Sequence, residues 1–313
     1  MSASLIKIPG MTSFIVNDVL SNELCKTALS LLRQIIFSRL NSKDGICLAL
    51  DRPLGCKHHK PNLTRPAVLR QFYGQTLPCG KRFCYGNGTG SLTVGTHPDH
   101  LVTRNMTPEM TKLANHIALH IKKFTGKTCE LNHCTILFYY HKDNKSPNNL
   151  LGYHTDNVYS ANGKFLKSKN SQAEDTPTCV LTIGHSRELV VQKQKHKYYK
   201  ETKRRRWKES MTKNITMRHN SLFILQSSDE KPFKANKKKF RWRHGVPGYH
   251  GKNDLSIALV FRSVTNTTNT SNTMSSLDIM TKQIITPTTL KKVHKSHKRL
   301  ELLFSQMAIE YDF

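Results

Sequence analysis

Short runs of β-forming residues follow two helix-patterned segments, and that order restricts the chain to few architectures. Cys134–Tyr140, Cys179–Ile183, Glu188–Val191, Ser221–Leu225 and Leu255–Phe261 are dense in β-branched and aromatic residues and are separated by polar turns. Ahead of them, Leu24, Ala28, Leu31, Leu32, Ile35 and Ile36 recur at helical spacing behind a Ser21 cap, which predicts a helix from Asn22. A second helix is punctuated at both ends. Thr107 is an N-cap with Pro108 at the first helical position, and Gly126 is the stop. Met110, Leu113, Ala114, Ile117, Ile121 and Phe124 form its apolar stripe. Residues 1–20 read as extended with a turn at Pro9-Gly10, 41–60 as a polar loop and Val68–Tyr73 as a short strand. Helices followed by short strands predict an α+β fold, an antiparallel β-sandwich with helices on one side.

Charge narrows the partner. The 49 Lys and Arg residues against 21 Asp and Glu give a formal +28, which calls for a polyanion and salt-sensitive binding. The cations cluster. Lys193–Lys208 holds nine Lys/Arg and one acid with Tyr198, Tyr199 and Trp207 interleaved, and Lys231–Arg243 holds seven and no acid with Phe233, Phe240 and Trp242. Cations among aromatics neutralise phosphates and stack on exposed bases. The candidate contacts are Lys203, Arg204, Arg205, Arg206, Trp207, Lys237, Lys238, Lys239 and Arg241. The blander readings are a solvated insert, or Lys203–Arg206 as a nuclear address.

Eight scattered cysteines without a CxxC pair, no signal-peptide pattern and no apolar run of bilayer length predict an intracellular chain, nuclear or cytoplasmic, with free thiols and neither a membrane nor a disulfide-linked partner. Cys56, His58, His59, Cys79 and Cys84 match no common zinc spacing. After Val264 a Thr/Asn/Ser-rich stretch reads as a linker, and Thr289–Ala308, basic then apolar, as a helix whose docking the sequence leaves open. The divisions expected are 1–264, 265–288 and 289–313.

One pair carries chemistry. In Gly152-Tyr153-His154-Thr155-Asp156 an imidazole and a carboxylate stand two residues apart, so on extended chain both reach one ion. The third ligand expected is His244, in Arg241-Trp242-Arg243-His244-Gly245-Val246-Pro247. Two imidazoles and one carboxylate leave three octahedral positions free, the arrangement of non-haem Fe(II) oxygenases. Arg262, inward on the strand after His244, is placed to pair the carboxylate of a 2-oxo acid.

These residues give the chain a family resemblance over roughly residues 9–264: it resembles AlkB-type dioxygenases dependent on 2-oxoglutarate and Fe(II). The carriers, in order, are Pro9-Gly10-Met11, Pro66–Arg70 with Gly74, Leu131–Tyr139, His154-Thr155-Asp156, Thr182–Leu189, His244–Pro247 and Ser256–Arg262. The resemblance implies a double-stranded β-helix (jelly-roll) core, N-terminal helices on one sheet and long basic inserted loops. It implies Fe(II), 2-oxoglutarate and O2, and oxidative demethylation of N-alkylated bases in single-stranded or flipped-base DNA or RNA. Arg70, Phe72, Tyr73, Phe83 and Tyr85 fall in its nucleotide-recognition lid.

Two positions depart. Leu137 stands where the family has a co-substrate-binding Asn, and Ser256 where it has the first Arg of the closing motif, the partner of the co-substrate's distal carboxylate. Tyr139 and Arg262 remain, and a small register shift would let Arg262 take that role. A protein side chain as substrate, or a non-catalytic nucleic-acid-binding module, are the competing readings.

Overall fold

The computed structural model describes residues 4–37, 69–74, 103–104, 106–140, 151–157, 159–160, 162–165, 172–199, 204–235, 238–247, 254–263 and 287–311. The chain opens with β1 (Ser4–Lys7) and β2 (Phe14–Asn17), then α1 (Asn22–Phe37), β3 (Leu69–Gly74), β4 (Thr103–Arg104) and α2 (Pro108–Thr125). The expected punctuation of α2 is present. The Thr107 side chain accepts from the Met110 amide, and Gly126 takes the left-handed conformation at φ +71°, its amide bonded to the Lys122 carbonyl.

Strands dominate the remainder: β5 (His133–Tyr140), β6 (Leu151–His154), β7 (Thr178–Gly184), β8 (Arg187–Tyr199), β9 (Arg204–Met217), β10 (Ser221–Leu225), β11 (Phe233–Ala235), β12 (Lys238–Val246) and β13 (Leu255–Arg262). The short helix α3 (Ser227–Glu230) follows β10, and α4 (Pro287–Glu310) comes last. They form an eight-stranded sheet, ordered β1-β2-β10-β7-β13-β5-β3-β4, and a five-stranded one, β11-β12-β8-β9 with β6 on β12. Every named pairing except β3 with β4 is antiparallel. Two antiparallel layers with helices outside fit a jelly roll.

Alternation along β13 explains the layering. Leu255, Ile257, Leu259 and Phe261 join the large core with α1, α2 and α4, while Ser256, Ala258, Val260 and Arg262 point to the space between the sheets. The strand is buried on both faces, which is why it reads as an almost unbroken apolar run. Ile15, Phe223 and Leu225 of the larger sheet meet Leu189, Val191, Met217 and Trp242 of the smaller in a second cluster.

One expectation changes, and one point that the sequence leaves open is decided. The first basic block is no inserted loop. It lies on β8 and β9, a ladder from Arg187↔Met217 to Tyr199↔Arg204 with one bulge at Lys193/Gln194, and the second lies on β11 and β12. Backbone groups make the ladder whatever the side chains, and the long lysine stems tolerate an extended backbone facing water. The C-terminal helix docks on the core: Leu300, Leu303, Phe304 and Met307 are buried with α1 and the larger sheet. Among the described residues Cys25, Cys129, Cys134 and Cys179 are free thiols. No described helix is long and apolar enough to cross a membrane. The linker, the cysteine-histidine cluster at 56–84, Phe83 and Tyr85 lie outside the described residues.

Candidate metal centre

His154 ends β6 directly across from His244 on β12, so strand pairing alone sets the two imidazoles side by side, ring centroids 4.3 Å apart. Asp156 follows two residues beyond the end of the strand, where the chain bends back. Its carboxylate oxygens lie 3.6 Å from His154 Nε2 and 3.8 Å from His244 Nε2. All three residues are buried, and one donor atom from each falls within 4.8 Å of the others. Ligands about 2.1 Å from one ion at right angles stand about 3 Å apart, so small side-chain rotations close this set on a metal. Two neutral imidazoles and a carboxylate are a borderline donor set, which suits a first-row divalent ion.

The electrostatics favour the forms that bind metal. Burial alone would raise the Asp156 carboxyl, but Arg262, His244 and His154 and a hydrogen bond with Thr178 more than offset it and hold the group well below the usual carboxylate range. Burial lowers the pKa of His244, against the pull of Asp156, and so favours the neutral ring. Arg262 is 1% exposed, and its Nη2 donates to Asp156 Oδ1 at 3.1 Å.

A residue that sequence reasoning missed shapes the centre. Glu230, at the end of α3, accepts from the amides of Asp156 (2.7 Å) and Asn157 (2.8 Å) and from the Asn157 side chain (3.0 Å). It therefore holds the bend that presents Asp156, and it lies 3.7 Å from His244 Nδ1. Burial and then the charge of Asp156 push its carboxyl up to about 8, with the amide hydrogen bonds opposing. Its neighbour Asp229 accepts from the amides of Thr12 and Ser13, tying the N-terminal turn to the same helix. The available signal was two adjacent acids just ahead of a basic run that contains none.

The cavity beside the ligands lies between the sheets. Leu137 and Tyr139 of β5, Val180 and Thr182 of β7, and Ser256, Ala258 and Val260 of β13 form one wall, with Arg187 and Leu189 opposite. Its open interior is about 50 Å³, so a ligand larger than a few waters enters by moving lining side chains. Tyr139 and Arg262 both reach this cavity, at opposite ends. β13 pairs with β5 without interruption from Leu255↔Tyr140 to Arg262↔His133, which sets Ser256 beside Tyr139 and Arg262 at the metal end. Six residues of strand, about 20 Å, separate Arg262 from Ser256.

The basic candidates divide. Trp207 and Arg241 come together, the guanidinium 4.5 Å from the ring, and Arg243 stacks likewise on Tyr153 at 4.7 Å. Gln194 and Gln192 accept from Arg241 Nε (3.0 Å) and Arg243 Nε (2.5 Å) and align both planes. This array occupies the face of the smaller sheet opposite His244, turned away from the cavity. Lys239 donates to Asn162 at 3.1 Å, and Lys238 is exposed. Backbone pairing places Arg204, Arg205 and Arg206 on β9, and Arg70 and Tyr73 on β3 opposite Leu137 and Cys134. Lys203 and Lys237 lie outside the described residues.

No protein-family model matches the sequence, and no curated protein matches it. Solved structures do. A 2OG-Fe(II) oxygenase family oxidoreductase from Burkholderia pseudomallei is 13% identical with a TM-score of 0.32, over 65% of this chain and 70% of that one. AviO1 from Streptomyces viridochromogenes Tue57 is 10% identical with a TM-score of 0.36, over 81% and 92%. A structure described under prolyl 4-hydroxylases from Phytophthora capsici is 10% identical with a TM-score of 0.35, over 95% and 76%.

Proposed function

We propose that the protein is a non-haem Fe(II)- and 2-oxoglutarate-dependent dioxygenase that oxidatively demethylates N-alkylated bases in DNA or RNA. The observation that carries the reading is the buried set of His154, Asp156 and His244, converging beside a cavity between two sheets. Fe(II) held there, with 2-oxoglutarate and O2, supplies the oxidising power to hydroxylate an N-methyl group.

The chain's residues do the rest. His154 and His244 offer neutral nitrogen lone pairs and Asp156 the anionic ligand. Arg262 keeps Asp156 ionised and fixes its rotamer, while Glu230 holds the Asp156 backbone. Leu137, Val180, Ala258 and Val260 line the cavity with apolar surface, which limits water beside the reacting group. A base inside a duplex cannot reach a buried cavity, so the substrate is single-stranded or flipped out. The +28 charge draws in the polyanion. Because the Trp207–Arg241 and Tyr153–Arg243 stacks face away from the cavity, their part is to hold flanking strand, not the target base.

The test is anaerobic incubation of the protein with Fe(II) and 2-oxoglutarate, then O2 with N-methylated single-stranded DNA, the RNA equivalent or no substrate. Formaldehyde released only with nucleic acid is the expected result, and His154→Ala lowers it at least a hundredfold. Formaldehyde from a methylated peptide instead would move the substrate to protein. Failure to bind 2-oxoglutarate in the presence of metal would leave a non-catalytic binding module.

A further inference from the structure

We infer that α2 and the turn before α1 form a second site for a divalent transition metal, with His116, His120 and the Val19 carbonyl as its donors; the inference does not depend on the dioxygenase reading. In His116-Ile117-Ala118-Leu119-His120 two imidazoles stand four residues apart on α2. Residues at that spacing leave the same face of a helix, one above the other. It is the spacing by which a single helix offers two ring nitrogens to zinc.

The rings converge at their nitrogen edges. Their centroids are 4.8 Å apart with the planes at 66°, yet the two Nε2 atoms are 3.2 Å apart. His116 Nε2 also lies 2.8 Å from the Val19 carbonyl oxygen, and His120 shares a hydrogen bond with the same carbonyl. Donors about 2.1 Å from one ion at right angles stand about 3 Å apart, so the three atoms hold the spacing of one face of an octahedral ion. In the metal-free protein a ring N–H donates to the carbonyl. Coordination moves the ring proton to Nδ1, the other tautomer of neutral imidazole, and keeps the carbonyl as a donor to the ion.

Both sides of the site are fixed. The Val19 amide donates to the Asn220 carbonyl at 3.2 Å, the Leu20 amide to Asn220 Oδ1 at 2.9 Å, and Asn220 Nδ2 to the Leu20 carbonyl at 3.0 Å. The turn between β9 and β10 therefore holds the turn that presents the Val19 oxygen. On the helix, His120 stacks on Phe124 at 6.0 Å, and Phe124 meets Phe14 edge-on at 5.8 Å. Burial, then the charges of His116 and Lys123, lower the His120 pKa against the Val19 hydrogen bond, which favours the neutral ring and its lone pair. Among the described residues no carboxylate or thiol joins this cluster. Nitrogen donors without an anionic oxygen suit Zn(II), Ni(II) or Cu(II) and not Ca(II) or Mg(II). The ion clips α2 to a turn 97 residues earlier in the chain.

The test counts bound metal. Full-length wild type, His116→Gln and His120→Gln are dialysed against the same Zn(II) buffer, and the metal retained by each is measured. Gln places an amide N–H near the Nε2 position, so each variant can keep a bond to Val19 but loses the lone pair. Each variant is expected to hold one equivalent less than the wild type, and the double variant to lose that same single equivalent. Zn(II) held elsewhere on the chain is common to all four proteins and cancels. Zn(II) is also expected to raise the urea midpoint of the wild type more than that of either variant. Equal Zn(II) counts in the wild type and both single variants overturn the inference, as does a double variant that loses two equivalents. Should the variants not fold, Ni(II) added to the wild type carries the test: paramagnetic broadening of the Val19, Leu20 and His120 amide resonances is expected, and their persistence overturns the inference.

Discussion

Around the metal ligands, single residues decide which charges survive burial. His133 pairs across the strands with Arg262 and is 1% exposed; burial first, and then the Arg262 charge, lower its pKa to about 3. An unfolded histidine titrates near 6.5. Between those values the unfolded chain binds the extra proton, so the contribution to stability is complete above about pH 6.5 and is lost as pH falls towards 3. For one group this amounts to about 2 kcal/mol between pH 7 and pH 5. Glu230, raised to about 8, acts with the opposite sign: its contribution is present below about pH 4.5 and is lost as pH rises through 8. The informative quantity is therefore the difference between wild type and His133→Gln in the metal-free protein. Urea unfolding at pH 7 and pH 5 should show the wild type losing about 2 kcal/mol more than the variant. Equal losses would mean that His133 is not held neutral.

Among the elements, α4 is the one whose role the pattern of residues understated. Leu303 is 1% exposed and sits among the residues of the large core, whereas Leu302 beside it is 49% exposed. Leu303→Ala should cost about 2–5 kcal/mol in urea unfolding, while Leu302→Ala should stay within about 0.5 kcal/mol. Equal effects would show that the helix does not dock as described. The β8–β9 ladder is a second such element: its backbone pairing carries much of the basic block on two long strands.

For the whole molecule, the proposed division of labour between cavity and outer face has a signature in salt. Phosphate contacts contribute about −0.7 each to the slope of log K against log salt for a single strand, and base stacking contributes none. Arg241→Gln should therefore flatten the slope for single-stranded DNA by about 0.7, and Trp207→Ala should weaken binding by about 1–3 kcal/mol at unchanged slope. Fluorescence anisotropy between 50 and about 200 mM salt resolves the two. If neither variant alters binding, the outer face is not the strand-holding surface.

Much was legible in the sequence because it depends on local rules. Helix caps, the left-handed glycine after α2 and the apolar run of β13 follow from backbone sterics and burial over a few residues, and each stands where the pattern placed it. His154, Asp156 and His244 were also readable, since a short-range pair plus one distant imidazole is a recognisable ligand set, and direct pairing of β6 with β12 brings them together. Tertiary structure alone decided the rest. Glu230 enters the centre through backbone amides more than seventy residues away, and hydrogen bonds to main chain leave no trace in residue type. Which end of the cavity each arginine occupies depends on strand register and on the crossing at Gly184 between the sheets. A one-residue slip would turn β13 over and exchange its core face for its cavity face, so only the assembled sheet places Arg262 at Asp156 and Arg187 over Tyr139.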